Sequence, residues 1–354
     1  MIICPECKKI SRINIKGKKI PLVNNFKQDK KLYNNDFYYC DNCDLGFLKY
    51  FHPDKKLYNK KYLYRGYQNK SKINIITKIL KKEIKKNISI LEIGGGDGYI
   101  GKIFGKNIDY LNVDPSSSKG FKTINNTFEK KKMTKKYDLI LCINLLAHIN
   151  NPEKIMKKIK NSSHIKTKII LSVHNGLSQI KQGYLDSIYH EHKYYYSCYS
   201  FKKKVSKFFS SLKYYRVPMH GESIVATNLK CKYNLYKRKK SGLNKYKINY
   251  SNKKYLNAIS KIEKQITLSK KMVWGIGCAP RSIKIIYDLN NKNNKIKYVL
   301  EPKNSPKINL FLPKKNIKVI FKDERKIGKK YTVLWLPWHL KPPKIFKNII
   351  WPYH

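Results

Sequence analysis

Apolar and polar positions follow two different rhythms along the middle of this chain. Between Ser71 and Lys86 the apolar residues Ile73, Ile76, Ile79, Leu80 and Ile84 fall on one stripe at helical spacing, with Ser71 placed to cap the helix. After that the apolar residues come in short, nearly unbroken runs: Ser89 to Ile93, Ile108 to Val113, Tyr137 to His148, which ends in polar groups, and Lys168 to Val173. Runs of that length predict strands buried on both faces of a parallel sheet. Asn151-Pro-Glu153 stands between the last two runs and predicts a capped helix start. Strand and helix therefore alternate, which is the pattern of a doubly wound α/β sheet.

The first run passes straight into a glycine-rich turn, Glu92-Ile-Gly94-Gly95-Gly96-Asp97-Gly98. Gly94, Gly96 and Gly98 can adopt positive φ and let a ligand approach the backbone at the carboxyl end of a strand. The second strand ends on Asp114, about 20 residues further on, where a carboxylate is placed to hydrogen-bond a ribose. Asn144 and His148 close the third run, so they belong to the same sheet edge.

Length and charge bound the reading. At 354 residues the chain exceeds what one core organises and predicts two or three domains, with 41% apolar residues to fill them. No apolar run approaches the roughly 18 to 20 residues of a membrane span, and Cys4 and Cys7 stand where a secretory signal would need its charged and apolar regions. The chain reads as soluble and cytoplasmic, with no mark of its oligomeric state. A formal net charge of +55 draws polyanions. Lysine is spread over every segment beside abundant Asn, Ile and Tyr, so compositional bias is the favoured source. A nucleic-acid surface is the minority reading, with Phe201 to Lys204 and Tyr236 to Lys240 as its best patches.

Four of the eight cysteines form two pairs, Cys4-Pro-Glu-Cys7 and Cys40-Asp-Asn-Cys43. Two such knuckles predict a closed tetrahedral zinc site of structural type. A redox pair would want a βαβ context, and a cytoplasmic chain disfavours disulfides. Cys142, Cys198, Cys231 and Cys278 read as ordinary thiols.

The densest group of proton-handling side chains is Tyr189-His190-Glu191-His192, within Asp186 to Ser197. It is not the helical metalloprotease motif, because the histidines are two apart and the position four after His190 is Tyr194. A Glu beside two histidines can fix the tautomer of one, and a nearby Tyr can donate to a developing oxyanion. The plainer alternative is a polar loop with aromatic packing.

Several segments together resemble the SAM (S-adenosylmethionine)-dependent sugar C-methyltransferases, whose best-known members methylate C3 of nucleotide-linked 4-keto-6-deoxy sugars. The similar features are the two cysteine knuckles, Tyr62-Leu-Tyr64-Arg, Leu91-Glu-Ile-Gly-Gly-Gly-Asp-Gly98, Asn144-Leu-Leu-Ala-His148, Ile188-Tyr-His-Glu-His192, and Val217-Pro-Met-His220-Gly-Glu-Ser223. Val273-Trp-Gly-Ile-Gly277, Leu300-Glu-Pro302 and Val333-Leu-Trp-Leu-Pro337 resemble the family's second Rossmann-like unit. The resemblance implies a class I SAM methyltransferase sheet over residues 67–236, an amino-terminal zinc-knuckle domain over 1–66 and a carboxyl-terminal Rossmann-like, substrate-side domain over 237–354.

It further implies SAM on Glu92, Gly94 to Gly98, Asp114 and Asn144, and a nucleotide-sugar acceptor. His192 matches the catalytic base, Tyr189, Glu191 and His148 match residues around the reacting sugar, and Tyr64 matches a connector tyrosine of the same pocket. His220 falls in a substrate motif, and Arg281, after a glycine-rich turn, can hold a diphosphate. Glu222 and Val225 depart from the family pattern, as does Cys278-Ala-Pro-Arg281, which leaves the sugar open. The competing functions are a nucleic-acid methyltransferase with a zinc-ribbon reader and a catalytically degenerate SAM-binding scaffold.

Overall fold

The computed structural model describes the chain except residues 1, 27–30, 59–61, 64–69, 82, 85–86, 106–107, 117–119, 220, 237–238, 291–294, 324–326, 328–329, 338–340 and 352–354, and the side chains of 55 and 70–73. Its contacts divide the chain into two units, one of residues 1–13, 38–179 and 191–244, the other of 14–37, 180–190 and 245–354. The amino-terminal segment expected as one zinc-knuckle domain thus contributes to both.

In the first unit β1 (Ile2–Ile3) and β2 (Ile10–Ser11) form an antiparallel pair. After β3 (Ile13–Ile15) come β4 (Phe37–Cys40), β5 (Leu45–Leu48), and the helices α1 (Asp54–Leu57) and α2 (Lys70–Leu80). Ile76 and Leu80 of α2 are fully buried, as the stripe predicts, whereas Ser71 and Ile73 lie outside the described side chains. The helix expected to reach Lys86 is formed over Lys70–Leu80; beyond it Glu83 pairs with Lys168 and Ile84 packs against the buried cluster, while residues 82, 85 and 86 lie outside the described residues.

The main sheet is built from β6 (Ser89–Ile93), β7 (Asp109–Val113), β8 (Thr123–Ile124), β9 (Tyr137–Ile143) and β10 (Ser163–His174), with α3 (Tyr99–Phe104) after β6 and α4 (Pro152–Asn161) after β9. The chain goes on through α5 (Gly176–Lys181), β11 (Tyr194–Tyr196), α6 (Cys198–Val205), β12 (Lys213–Val217) and β13 (Ser223–Thr227). The strand order is β12-β13-β10-β9-β6-β7-β8, parallel from β10 to β8, with β13 antiparallel to both its neighbours. The unbroken apolar runs have their explanation here. Leu91, Ile140 and Leu171 enter one buried cluster, while Ile90, Leu139 and Ile170 enter another, so successive residues serve opposite faces. Each such side chain contributes about 1.5–3 kcal/mol when taken from water. Helix α4 begins as its sequence predicts: Asn151 Oδ1 accepts from Lys154 N–H at 3.0 Å, and Pro152 opens the first turn.

From β6 the chain steps outward to β7 and β8, then returns to the other side as β9 and β10. The carboxyl ends of β6 and β9 therefore flank the point where strand order reverses, the crevice in which open α/β sheets bind ligands. A smaller sheet runs through β11, β5 and β4.

The second unit carries α7 (Lys245–Leu268), β14 (Val273–Ile276), α8 (Pro280–Asp288), β15 (Ile296–Leu300), β16 (Lys318–Ile320), β17 (Thr332–Trp335) and β18 (Ile349–Ile350). Its five strands are all parallel in the order β16-β15-β14-β17-β18, another sheet with one reversal. Gly277 ends β14 at φ 89°, and Cys278 N–H donates to Glu301 at 2.6 Å. No described helix in the chain is long and apolar enough to cross a membrane.

Candidate active site

The glycine turn sits at the reversal point, with Gly94, Gly96 and Gly98 at φ 70°, 62° and 67°. A side chain at Gly98 would meet the Phe121 carbonyl oxygen at 2.5 Å, so this turn requires glycine for space as well as conformation. The expected cofactor carboxylates hold the turn from two sides. Glu92 is buried beneath it and accepts from the Tyr110 phenol; burial, then the Glu92 charge, pushes the Tyr110 phenol well above its ordinary range. Asp114 accepts from Gly96 N–H at 2.8 Å, and from the backbone and hydroxyl of Ser116 at 2.8 and 2.6 Å. Asn112, not singled out by sequence, bonds both the Gly95 N–H and the Gly96 carbonyl. Asp97 accepts from Phe121 N–H through its backbone carbonyl.

Asn144 ends β9 at φ 55°; its Oδ1 accepts from Ser172 at 3.0 Å, while its buried Nδ2 has no hydrogen-bond partner. An orphaned donor beside an open glycine cradle fits a polar cofactor lying across this edge. The next residue, Leu145, packs over Gly94, where an added Cβ would meet it at 2.9 Å. One turn thus links the glycine cradle to His148.

That turn also organises the histidines. His148 and His192 have ring centroids 4.8 Å apart, and His174 lies 5.6 Å from His192. Ring nitrogens of all three come within 4.8 Å of one another. Tyr58 Oη lies 3.0 Å from His148 Nδ1, and Tyr62 donates to Glu191 at 3.0 Å. Glu191 and His192 are buried, as is the whole segment from Leu185 to Ser197. Lys193 is fully buried and ion-paired with Asp54; burial lowers its pKa against the pull of that carboxylate.

Other residues singled out in the sequence belong to the second unit, to other parts of the first, or to stretches outside the described residues. Tyr189 and His190 belong to the second unit, where His190 Nε2 accepts from Val23 N–H at 3.2 Å and the two rings meet edge-on. Arg281 is held in a two-pronged pair by buried Asp186, at 2.6 and 2.9 Å. The guanidinium expected to meet a diphosphate therefore already has a carboxylate on it. Glu222 accepts from Tyr236 at 2.6 Å and pairs with Arg216. Tyr64 and His220 lie outside the described residues. Sequence reasoning missed His174 and Tyr58, and quoted Tyr62 only as part of the connector motif, without a role. The available signal for His174 was its place at the carboxyl end of a predicted strand.

Cys4, Cys7, Cys40 and Cys43 have sulfur atoms within 4.8 Å of one another, with Cys7 and Cys40 3.6 Å apart. A tetrahedron of thiolates around zinc has edges of about 3.8 Å, so the donor set fits a closed metal site. Burial opposes ionisation of Cys7, but hydrogen bonds from Asn42, the Lys9 backbone, Cys43 and Cys40 outweigh it and bring its pKa to about 6. Burial raises Cys4 to about 11, opposed by backbone N–H groups and supported by the charge of Cys40. Of the basic patches, Phe201 is core and Lys204 is consumed by Glu6 and Glu153.

A glycine cradle at the reversal point of this sheet, with a carboxylate ending the second strand, defines a nucleoside-binding α/β protein. A scan against protein families matches residues 64–208 to a methyltransferase domain, so the chain contains a segment similar to that domain. Among solved structures it is similar to YcgJ from Bacillus subtilis, at 15% identity over 40% of this chain and 69% of that one, with a TM-score of 0.32. It is similar to the N-methyltransferase NodS from Bradyrhizobium japonicum WM9 (10% identity, 44% and 82% covered, TM-score 0.33). Magnesium protoporphyrin IX methyltransferase from Synechocystis PCC 6803 is similar at 13% identity, over 47% and 84%, with a TM-score of 0.35. A search of curated proteins found no match.

Proposed function

We propose that this enzyme methylates a carbon atom next to a carbonyl, in a nucleotide-linked keto-deoxy sugar, with His192 as the base. The observation that carries the reading is the buried imidazole of His192, packed against His148 on the turn that covers the glycine cradle. Methylation of oxygen or nitrogen can use a lone pair already present, whereas carbon has none until it loses a proton. A positioned base contributes about 10² to 10⁴ in rate. His192 takes the α-proton, and His148, its Nδ1 accepting from Tyr58, donates from Nε2 to the enolate oxygen. Tyr62 holds Glu191, whose charge favours the imidazolium that forms on the neighbouring residue.

SAM, when bound, supplies an electrophilic methyl group on a positively charged sulfur. Gly94 to Gly98 would receive it against the backbone, Asn144 Nδ2 would find its partner there, and Asp114 would exchange a Ser116 contact for a ribose hydroxyl. The cysteine cluster, in this reading, holds one structural zinc ion.

The test combines mass spectrometry of products from nucleotide keto sugars with solvent exchange. The wild-type chain should exchange the α-proton of its acceptor for deuterium and form a carbon-bound methyl. His192→Ala should lose both while SAM affinity stays within about twofold, since base and cradle are different groups. An ether, ester or methylated base as product would overturn the reading. A methylated base would favour the nucleic-acid alternative that the net charge of +55 keeps open.

A further inference from the structure

Three histidines in one pocket are more than a single proton transfer needs. His148 follows β9, His174 ends β10 and His192 precedes β11, so three separate segments deliver one imidazole each to the same place. Edge-on packing alone would be served by phenyl rings, which need no polar partner. The ring nitrogens lie within 4.8 Å of one another. Three imidazoles on a tetrahedral ion at the usual zinc–nitrogen distance stand about 3.3 Å apart, so the widest pair needs to close by about 1.5 Å at most. The contact between Tyr58 and His148 Nδ1 is the kind of outer hydrogen bond that fixes a ligating imidazole: a ring donating from Nδ1 to the phenol oxygen ligates through Nε2. His192 is buried at 8% exposure, while His148 and His174 are half-buried, which leaves a coordination position for water or an anion.

We propose that His148, His174 and His192 form a second metal site, separate from the cysteine cluster, that takes one borderline divalent cation such as zinc, cobalt or nickel. Imidazole suits these ions, and three neutral donors with an open position are the make-up of a reversible site rather than a closed structural one. Binding of the ion does not depend on the proposed reaction. Its consequence does: the ion takes the lone pair with which His192 would accept the α-proton, so occupancy and proton abstraction exclude each other. The Tyr58 hydroxyl serves both states, as acceptor from His148 Nδ1 with the ion and as donor without it.

The experiment uses the full chain, loaded with one equivalent of zinc at the cysteine cluster and shown by metal analysis to hold no more, then titrated with cobalt(II) without SAM or acceptor. One equivalent should bind with no thiolate-to-metal charge-transfer band, and X-ray absorption at the cobalt edge should show three imidazole ligands and no sulfur. His174→Gln should weaken this binding at least about 100-fold and Tyr58→Phe about tenfold, since outer partners alone are worth 10- to 100-fold. Zinc at the cysteines should be retained in both. The absorption spectrum of the wild-type complex decides the matter even if a variant misfolds. No cobalt beyond the cysteine site, a shell with sulfur or with fewer than three imidazoles, or full affinity in folded His174→Gln would overturn the site. Inhibition of deuterium exchange by cobalt is a separate readout: tight binding with unaffected exchange leaves the metal site standing and removes His192 as the base.

Discussion

The backbone N–H of Lys193 donates to the carbonyl of Ala147 at 2.8 Å, and Tyr194 N–H shares that acceptor at 3.1 Å. His192 precedes the first donor and His148 follows the acceptor, so this pair of bonds sets the two imidazoles against each other. Lys193 is anchored further by its carbonyl, which accepts from Leu48 N–H, and by its ammonium on Asp54. Backbone hydrogen bonds therefore set the spacing of the two imidazoles on this side.

Gly176 should be one of the positions on which that spacing depends. A Cβ there would meet the Cα and Cβ of Tyr195 at 2.8 Å, and backbone does not yield as a flexible side chain does. Gly176→Ala should push the segment carrying His192 away from His174 and His148, at a cost of about 1–3 kcal/mol in stability. Turnover should fall at least tenfold while SAM affinity, measured by calorimetry, changes little.

Asp114 ties the cradle and stands ready for the cofactor. Asp114→Ala removes the acceptor of Gly96 N–H as well as a charge-assisted bond to a ribose hydroxyl, worth about 1.5–3 kcal/mol. SAM should bind at least about tenfold more weakly. Ser116→Ala should have a smaller effect, or a slight gain, because it removes a competitor for the same carboxylate.

Metal should be part of the fold of the amino-terminal knuckles. Cys4, Cys40 and Cys43 are buried in one apolar cluster with Leu45 and Phe47, so the unfilled thiols sit among groups that cannot solvate them. Binding energies of about 10–16 kcal/mol for structural zinc make the ion a folding component. Purified protein should carry zinc in at least one equivalent at this cluster. Strong chelation should expose the knuckles to limited proteolysis, and Cys4→Ser with Cys40→Ser should do the same.

Acid should loosen the main sheet through Asp138. Hydrogen bonds from the Ser89 hydroxyl and N–H, at the start of the neighbouring strand, hold this carboxyl below its ordinary value, with His164 adding to them and burial opposing. A depressed folded value means the stabilisation is fully present above the ordinary carboxyl range, near pH 4, and is lost as pH falls through the lower folded value. Asp138→Asn should therefore be less stable than wild type at pH 7, with the gap closing below about pH 4. Thermal unfolding across that range measures it.

Much of this protein is written in its sequence because the signals involved are local. Apolar runs between Ser89 and Val173 mark strands whose neighbours in the chain become neighbours in the sheet, and Gly94 to Gly98 mark a turn that few other residues can make. The cysteine knuckles are legible one at a time for the same reason, as two thiols three positions apart, and the fold brings the two pairs together. His174 was legible only as the residue that follows a predicted strand. Its role depends on β10 lying beside β9 in parallel register and on Ala147 accepting from the chain some 46 residues later (193 − 147), which no spacing announces. Tyr58 and Tyr62 reach His148 and Glu191, contacts that the spacing of the tyrosine-rich connector does not announce. Arg281 looked available in sequence and is paired with Asp186 in the fold, since a buried carboxylate demands a partner and this guanidinium supplies it. Local sequence decided which groups exist and which elements carry them. Tertiary structure decided which of them meet, because proximity between distant segments is set by packing and backbone bonding that no single segment encodes.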